Sequence, residues 1–195
     1  DAIVIWDALM AAGHDYGITP TGILAMDMAR VEAGLFMLDV DYTPASHAWI
    51  PGQRSSPYEM GLGWTVNLDK QGYFVGRRAL EREHREGSSW QLAGLEIDWE
   101  GLEREYAVVG MPPQVPASAV RGSVPVYAGP RQVGYASTST WSPVLKKYIA
   151  LVHLQQPYFT PGTKVEIEVT VEHHRRKSPA TVVKLPFYDP EWKKK

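Results

Sequence analysis

The sequence contains no cysteine. Disulfides, thiolate metal sites and cysteine nucleophiles are therefore excluded, and the absence fits a reducing compartment. No apolar run approaches the roughly 20 residues of a membrane span, so no membrane association is expected. Neither sign of charge dominates: 20 Lys and Arg stand against 22 Asp and Glu, for a formal net charge of −2. Such a balance offers no electrostatic footprint for nucleic acid or an anionic membrane. A basic leader is missing too, because the chain opens on Asp1 with Asp7 close behind and carries no initiator Met. No secretory signal is expected and a cytoplasmic location is. Asp1 falls straight into an amphipathic pattern, so it reads as an interior position of a longer protein, with natural processing as the alternative. What is present is ordinary globular material: 195 residues, 44% hydrophobic, long enough for one large or two small domains with a real core.

Apolar spacing at Ile3, Trp6, Leu9 and Met10 predicts a helix over 2–12, with Gly13 as its stop. A second helix is expected from Thr19-Pro20, a cap followed by a first-turn proline, to Gly34. Its apolar stripe is Leu24, Met28, Val31 and Leu35, and Asp27, Arg30 and Glu32 lie opposite. Residues 39–59 read as loop, 62–68 as a strand, and 76–86 as a charged helix ending at Gly87-Ser88-Ser89, where a domain boundary is placed. Beyond it, short apolar runs at 90–97, 123–127, 132–138, 149–154, 164–171 and 179–185 are separated by Gly or Pro turns. Residues 166–171 alternate most clearly. Many short strands at this spacing predict a small antiparallel barrel or sandwich. Residues 104–121 have no assignable pattern, and Lys193–Lys195 reads as a solvated tail.

Four stretches resemble one family when taken together. Gly17–Gly34 (GITPTGILAMDMARVEAG) is similar to the "G-L-x-P-x-G-x-x-A-x-D-x-x-R-x-E-A-G" helix of the glycine cleavage T-protein (aminomethyltransferase) superfamily. Ser56–Leu80 resembles its "T-P-x-E-A-G-L-x-W-x-V" segment, Gly134–Ala150 its "G-x-V-T-S-G-x-x-S-P-x-L" barrel segment, and Ala180–Phe187 its "A-x-V-x-x-x-P-F" ending. The resemblance implies an α+β chain. Residues 1–88 would be the end of a ferredoxin-like, layered folate-binding domain, 89–188 the family's C-terminal antiparallel β-barrel, and 189–195 a tail. The family's catalytic aspartate would lie upstream of residue 1, so no catalytic residue is expected in this chain.

The cofactor implied is tetrahydrofolate. In the family the glutamate of "R-x-E-A-G", here Glu32, binds the pterin ring. A pterin presents an N–H and an exocyclic amine side by side, and one carboxylate can accept both. Lys70 stands near a basic family position that contacts the folate, although arginine is frequent there and the two are not interchangeable at a bidentate site. Trp192 stands near a family tyrosine; it could stack on an aromatic ring but cannot copy a hydroxyl, and Tyr188 is the alternative. Arg30 and Asp27 are expected in an ion pair, and Trp64 in the core. His173-His174 is expected in a solvated turn, since adjacent strand residues face opposite ways and chelate poorly, so no metal is expected. Ser137–Thr140 lacks the frame of a nucleophile elbow.

The implied function is tetrahydrofolate-dependent aminomethyl or methyl transfer, with a small one-carbon donor or a lipoyl carrier protein as partner, and possibly a missing N-terminal half. The alternatives are a non-catalytic folate-binding accessory protein, a folate-dependent O-, S- or N-demethylase of the same superfamily, and an inert product of truncation. Residues 45–56 (ASHAWIPGQRSS) read as extra sequence that could reshape the donor side.

Overall fold

The computed structural model describes residues 1–194, with side chains through Trp192; the side chains of the expected lysine tail lie outside the described residues. Six strands form one closed antiparallel barrel: β1 (Trp90–Ile97), β2 (Val120–Ala128), β3 (Arg131–Ser142), β4 (Lys147–Gln155), β5 (Lys164–Val171) and β6 (His174–Val183). Their order around the barrel is β1-β4-β3-β2-β5-β6, and β6 pairs back with β1 through Leu95↔Val182. Closure removes the free sheet edges that an open sheet would leave for aggregation. Among the described residues four α-helices accompany it: α1 (Ala2–Gly13), α2 (Ile23–Glu32), α3 (Arg77–Glu86) and α4 (Trp99–Ala107).

Two apolar clusters organise this α+β chain. The barrel interior takes Leu95, Ile97, Val126, Val133, Val152, Leu154, Ile167 and Val182. The second cluster lies outside the barrel, where Ile149 and Leu151 of β4 meet Val31 of α2, Met60 and Leu92, with Phe36, Leu185 and Phe187 packed around them. β4 is thus apolar on both faces: Ala150, Val152 and Leu154 point inward, while Ile149 and Leu151 point at the helical part. That double burial explains why β4 reads as a continuous hydrophobic run, whereas β5 alternates with one face in water.

The strand expected over 62–68 does not form. Residues 63–65 make a 3-10 turn, closed by Thr65 N–H to Leu62 O (2.9 Å) and Val66 N–H to Gly63 O (3.0 Å). Gly61 sits at φ 71°, and no neighbouring strand supplies a ladder. Local hydrogen bonding therefore satisfies the backbone that the apolar alternation had assigned to a sheet. Trp64, expected in the core, is 82% exposed. The unassigned region is also resolved: α4 ends at Ala107 and β2 begins at Val120. α4 starts where the Asp98 carboxylate accepts the Gly101 N–H at 3.2 Å, an N-cap that meets an otherwise unpaired donor. The second helix begins at Ile23, not at Thr19-Pro20, and Gly34 at φ 67° follows its end as expected.

Gly134 marks the tightest backbone approach in the barrel. A Cβ there would stand 2.1 Å from the His153 carbonyl oxygen, which belongs to backbone and cannot swing away. Gly134→Ala is expected to cost about 3 kcal/mol, the upper part of the overpacking range. That corresponds to a melting temperature lowered by roughly 6–12 °C for a chain of this size. Gly122→Ala, where a Cβ meets nothing within 4 Å, is the control and should melt within about 2 °C of the unsubstituted chain. Thermal unfolding followed by circular dichroism checks both.

Candidate functional site at the junction of α2 and the barrel

α2 packs on the barrel with its polar edge. Asp27, Arg30 and Glu32 are buried beside Val31, while Leu24 and Leu35 of the expected apolar stripe are exposed. The expected stripe is thus split: Val31 is buried and Met28 half-buried, but the polar residues are buried beside them. The physical reason is a network of ion pairs and hydrogen bonds around Arg30 and Asp27, part local and part supplied by β2 and β3. Arg30 Nε donates to Asp27 Oδ1 at 2.8 Å, Arg30 Nη1 to Asp41 Oδ2 at 2.6 Å, and Arg30 Nη2 to Thr138 Oγ1 at 3.1 Å. Arg121 of β2 reaches the other Asp27 oxygen at 2.8 Å. Two arginines thereby balance two carboxylates at the interface.

Asp41 is the centre of this cluster, and its side chain is fully buried. Besides Arg30 it accepts the Met37 N–H at 2.8 Å, the Ser137 hydroxyl at 2.6 Å and the Thr138 hydroxyl at 2.7 Å. Adjacent strand residues ordinarily face opposite sides. Here the β3–β4 register shifts between Ala136 and Thr138, and this bulge re-aims one side chain so that both hydroxyls meet the same carboxylate. The expected Asp27–Arg30 ion pair is therefore present, and Ser137 and Thr138 serve a carboxylate. Asp27 is held below the usual carboxylate range. Burial pushes it up, but the hydrogen bonds and charges of Arg30 and Arg121 prevail.

His153 of β4 closes the cluster from the barrel side. Its Nε2 lies 2.6 Å from the Asp41 carbonyl. A carbonyl only accepts, so Nε2 carries the proton. The ring stacks on Tyr135 at 5.0 Å between centroids. Burial pushes the imidazole below its ordinary 6.5, against the raising pull of the Asp41 carbonyl and carboxylate. The folded chain then binds this proton less readily than the unfolded chain does. The contribution is complete above the unfolded value near 6.5 and is lost as pH falls from there towards the lower folded value. Stability measured by urea midpoint should fall below about pH 6.5, with a limiting slope of about 1.4 kcal/mol per unit from this one group. His153→Gln should flatten that part of the profile, and an unchanged slope would contradict the assignment.

Glu32 ends α2 and stands apart from the cluster. The Ser142 hydroxyl donates to Glu32 Oε1 at 2.5 Å, which fixes the carboxylate against β3. Ser142 also accepts the Leu145 N–H at 3.0 Å, so its own rotamer is set. Among the described residues no hydrogen bond reaches Oε2. The Glu32 carbonyl takes the Tyr188 N–H at 2.9 Å, bringing the segment after β6 back onto the helix end. The following residues, Ala33 and Gly34, border a cleft of about 570 Å³ that Phe36, Met60, Leu92, Leu185 and Pro186 also line. Glu32 itself is buried and does not line that cleft; its neighbours Ala33 and Gly34 do. A carboxylate fixed in this way, with one oxygen unengaged by the described residues, has the chemistry to accept two adjacent N–H donors of a planar ligand.

The other expected site residues are not gathered there. Lys70 is exposed, and its carbonyl accepts Arg77 Nη1 at 3.0 Å; no hydrogen bond or ion pair among the described residues joins it to Glu32. Trp192 is 67% exposed in the 3-10 turn Glu191–Lys194. Tyr188, the alternative aromatic, is half-buried and touches Glu32 through the backbone bond just described. Ser142 and Asp41 were not among the expected site residues. Ser142 lies in the Gly134–Ala150 stretch, so that motif was its available signal; Asp41 had none, because its hydroxyl partners Ser137 and Thr138 lie 96 and 97 residues away. His173 lies in a tight turn with Glu172, at φ 64° and 46°, and is exposed with His174. Among the described residues no group of three His, Cys, Asp or Glu could hold a metal. No helix of the described residues is long and apolar enough to cross a membrane.

The fold and the site define a barrel module with an attached helical part, and comparison with known proteins gives the same class. Residues 91–189 match the glycine cleavage T-protein C-terminal barrel domain, and residues 1–70 match the GCVT N-terminal domain. The chain belongs to the glycine cleavage T-protein family. It is 32% identical over 184 residues to an aminomethyltransferase of Prochlorococcus marinus, covering 94% of this chain and 40% of that protein. It is 35% identical over 188 residues to a trimethylamine-oxide aldolase of Ruegeria pomeroyi, covering 96% of this chain and 20% of that one. The solved glycine cleavage system aminomethyltransferase T of Bartonella henselae shares the fold, with a TM-score of 0.70 at 20% identity over 96% of this chain and 44% of that structure. The chain thus spans about two fifths of the length of the aminomethyltransferases it matches.

Proposed function

We propose that this chain is the C-terminal part of a tetrahydrofolate-dependent aminomethyl- or methyltransferase, with the acid–base group for the chemistry in sequence upstream of Asp1. Residues 1–88 would be the end of the folate-binding domain, 89–188 the barrel, and 189–195 a tail. The observation that carries the reading is the Glu32 carboxylate, fixed by Ser142 with Oε2 unengaged among the described residues. Glu32 would receive the pterin's paired donors, Lys70 would face the glutamate tail, and Trp192 or Tyr188 would lie against an aromatic ring. Bound tetrahydrofolate supplies N5 as the acceptor of the one-carbon group. The protein's part is to hold that acceptor still and to exclude water around it, which gains rate through proximity and preorganised polar groups.

The donor would be an aminomethyl group on a lipoyl carrier protein or a small methylated compound. The 35% identity to the trimethylamine-oxide aldolase, together with the loop 45–56, favours a methylated amine as the second reading. A cytoplasmic location accompanies either donor. The test is a transfer assay on this chain joined to its own upstream coding region, with tetrahydrofolate and each donor class in turn. Folate-dependent turnover of one donor is expected. Folate binding with no turnover of any donor would make the protein an accessory folate binder, and no folate binding would sink the reading.

A further inference from the structure

The loop 45–56 lies over the outer face of the barrel and has internal order of its own. It contains the 3-10 turn Pro51–Gln53. Gln53 Oε1 fixes that turn by accepting the Trp49 N–H at 2.8 Å and the Ile50 N–H at 3.3 Å. An isolated bridge between Thr43 and Arg54 ties the end of the loop to the chain before it. Beneath it stand Trp90, His153 and Tyr135, from the neighbouring strands β1, β4 and β3. Tyr135 and His153 are directly opposite in the β3–β4 register, so they share a face, and Leu151 two residues before His153 places that face outside the barrel. The Trp90 and Tyr135 rings lie 6.2 Å apart between centroids. Loop and strands bound a pocket of about 240 Å³, which holds a small metabolite rather than a drug-sized one.

The polar groups of this pocket differ in sign from end to end. At the outer end stands Arg54, exposed, whose guanidinium makes no hydrogen bond or ion pair with the described residues. Thr43 and Ser55 add hydroxyls there. At the inner end His153 is 4% exposed and donates its Nε2 proton to the Asp41 carbonyl. Burial favours the neutral ring, which leaves Nδ1 as a lone-pair acceptor. Nδ1 has no hydrogen bond among the described residues and is not one of their sealed, unpartnered atoms, so it is open to the pocket. Negative charge also reaches this end. The Asp41 carboxylate acts on His153, and burial together with the Glu59 carboxylate raises the Tyr135 phenol.

An unpaired cation thus marks one end, an acceptor in a negative field marks the other, and aromatic walls stand between them. A simple anion meets the wrong sign at the inner end, and a simple amine meets it at Arg54. We propose that this pocket binds a small zwitterion, a free amino acid with a short apolar side chain. Its carboxylate pairs with Arg54, and its ammonium donates to His153 Nδ1 and lies against the faces of Trp90 and Tyr135. The pocket shares no lining residue with the cleft beside Gly34, and the inference goes beyond the folate reading without resting on it.

Calorimetric titration of the full chain with L-valine, isovalerate and isobutylamine tests the proposal, since the last two each lack one charged end. Saturable binding of L-valine is expected, with each half ligand at least about tenfold weaker, the loss of one hydrogen bond to a charged group. Arg54→Gln should weaken L-valine about tenfold to a hundredfold and leave the melting temperature unchanged, because the guanidinium holds nothing in the fold. Absence of L-valine binding would overturn the proposal, as would a half ligand that binds as tightly as L-valine or an affinity that Arg54→Gln leaves intact. Folate is absent from these titrations, so their failure is separable from failure of the folate reading.

Discussion

Asp41→Ala should destabilise the chain by about 3–5 kcal/mol, the cost of removing one partner from a buried ion pair. The substitution strands Arg30 Nη1, two hydroxyls and the Met37 N–H at a buried interface. In thermal unfolding the loss corresponds to roughly 6–20 °C. Asp41→Asn should lose less, since it keeps the shape and one acceptor, but its amide must face donors where the second carboxylate oxygen accepted them. Arg30→Met in the Asp41→Ala background should cost much less than the two single costs added, because each single change leaves the other charge unpaired. A loss under about 1 kcal/mol for Asp41→Ala would mean that the cluster behaves as an exposed ion pair.

Glu32→Gln should weaken folate binding about tenfold to a hundredfold, the effect of losing a hydrogen bond to a charged group worth about 1.5–3 kcal/mol. This substitution separates binding from packing. The amide oxygen can still accept the Ser142 hydroxyl in place of Oε1, so the fold should change by less than about 1 kcal/mol. The nitrogen then stands where Oε2 stood and offers a donor to a ligand that also donates. Glu32→Ala removes both functions and leaves Ser142 without its acceptor, so it should lose affinity and some stability together. Equal affinity in native and Glu32→Gln chains would remove Glu32 from the site.

The strands were legible because they carry their own evidence, while the choice of barrel over sandwich came from the family resemblance. β1 and β5 coincide with the apolar runs at 90–97 and 164–171, since strand register writes itself as alternation or, for the doubly buried β4, as an unbroken run. Pairing decides what pattern cannot: residues 62–68 show a strand-like sequence, yet without a neighbour they satisfy their backbone locally. α4 was missed because a nine-residue helix with four charges has almost no stripe, and of its side chains only Leu102 is deeply buried. The burial of the polar edge of α2 was missed because its amphipathic pattern is real but two-sided in meaning. An apolar stripe normally faces the core of its own domain; here Asp41 and the remote Arg121 draw the polar edge inward beside Val31, and Leu24 and Leu35 are left exposed. Glu32 could be proposed only from its motif, since a single glutamate near a helix end carries no periodic signal. Its fixing partner Ser142 lies 110 residues away.

The most direct test of the account is calorimetric titration of the unsubstituted chain with 5-formyltetrahydrofolate, alone and joined to its upstream coding region. Saturable binding at one site in at least the joined form, weakened by Glu32→Gln with the melting temperature unchanged, is the predicted result. No heat of binding in either form would contradict the assignment of a folate site to the junction of α2 and the barrel.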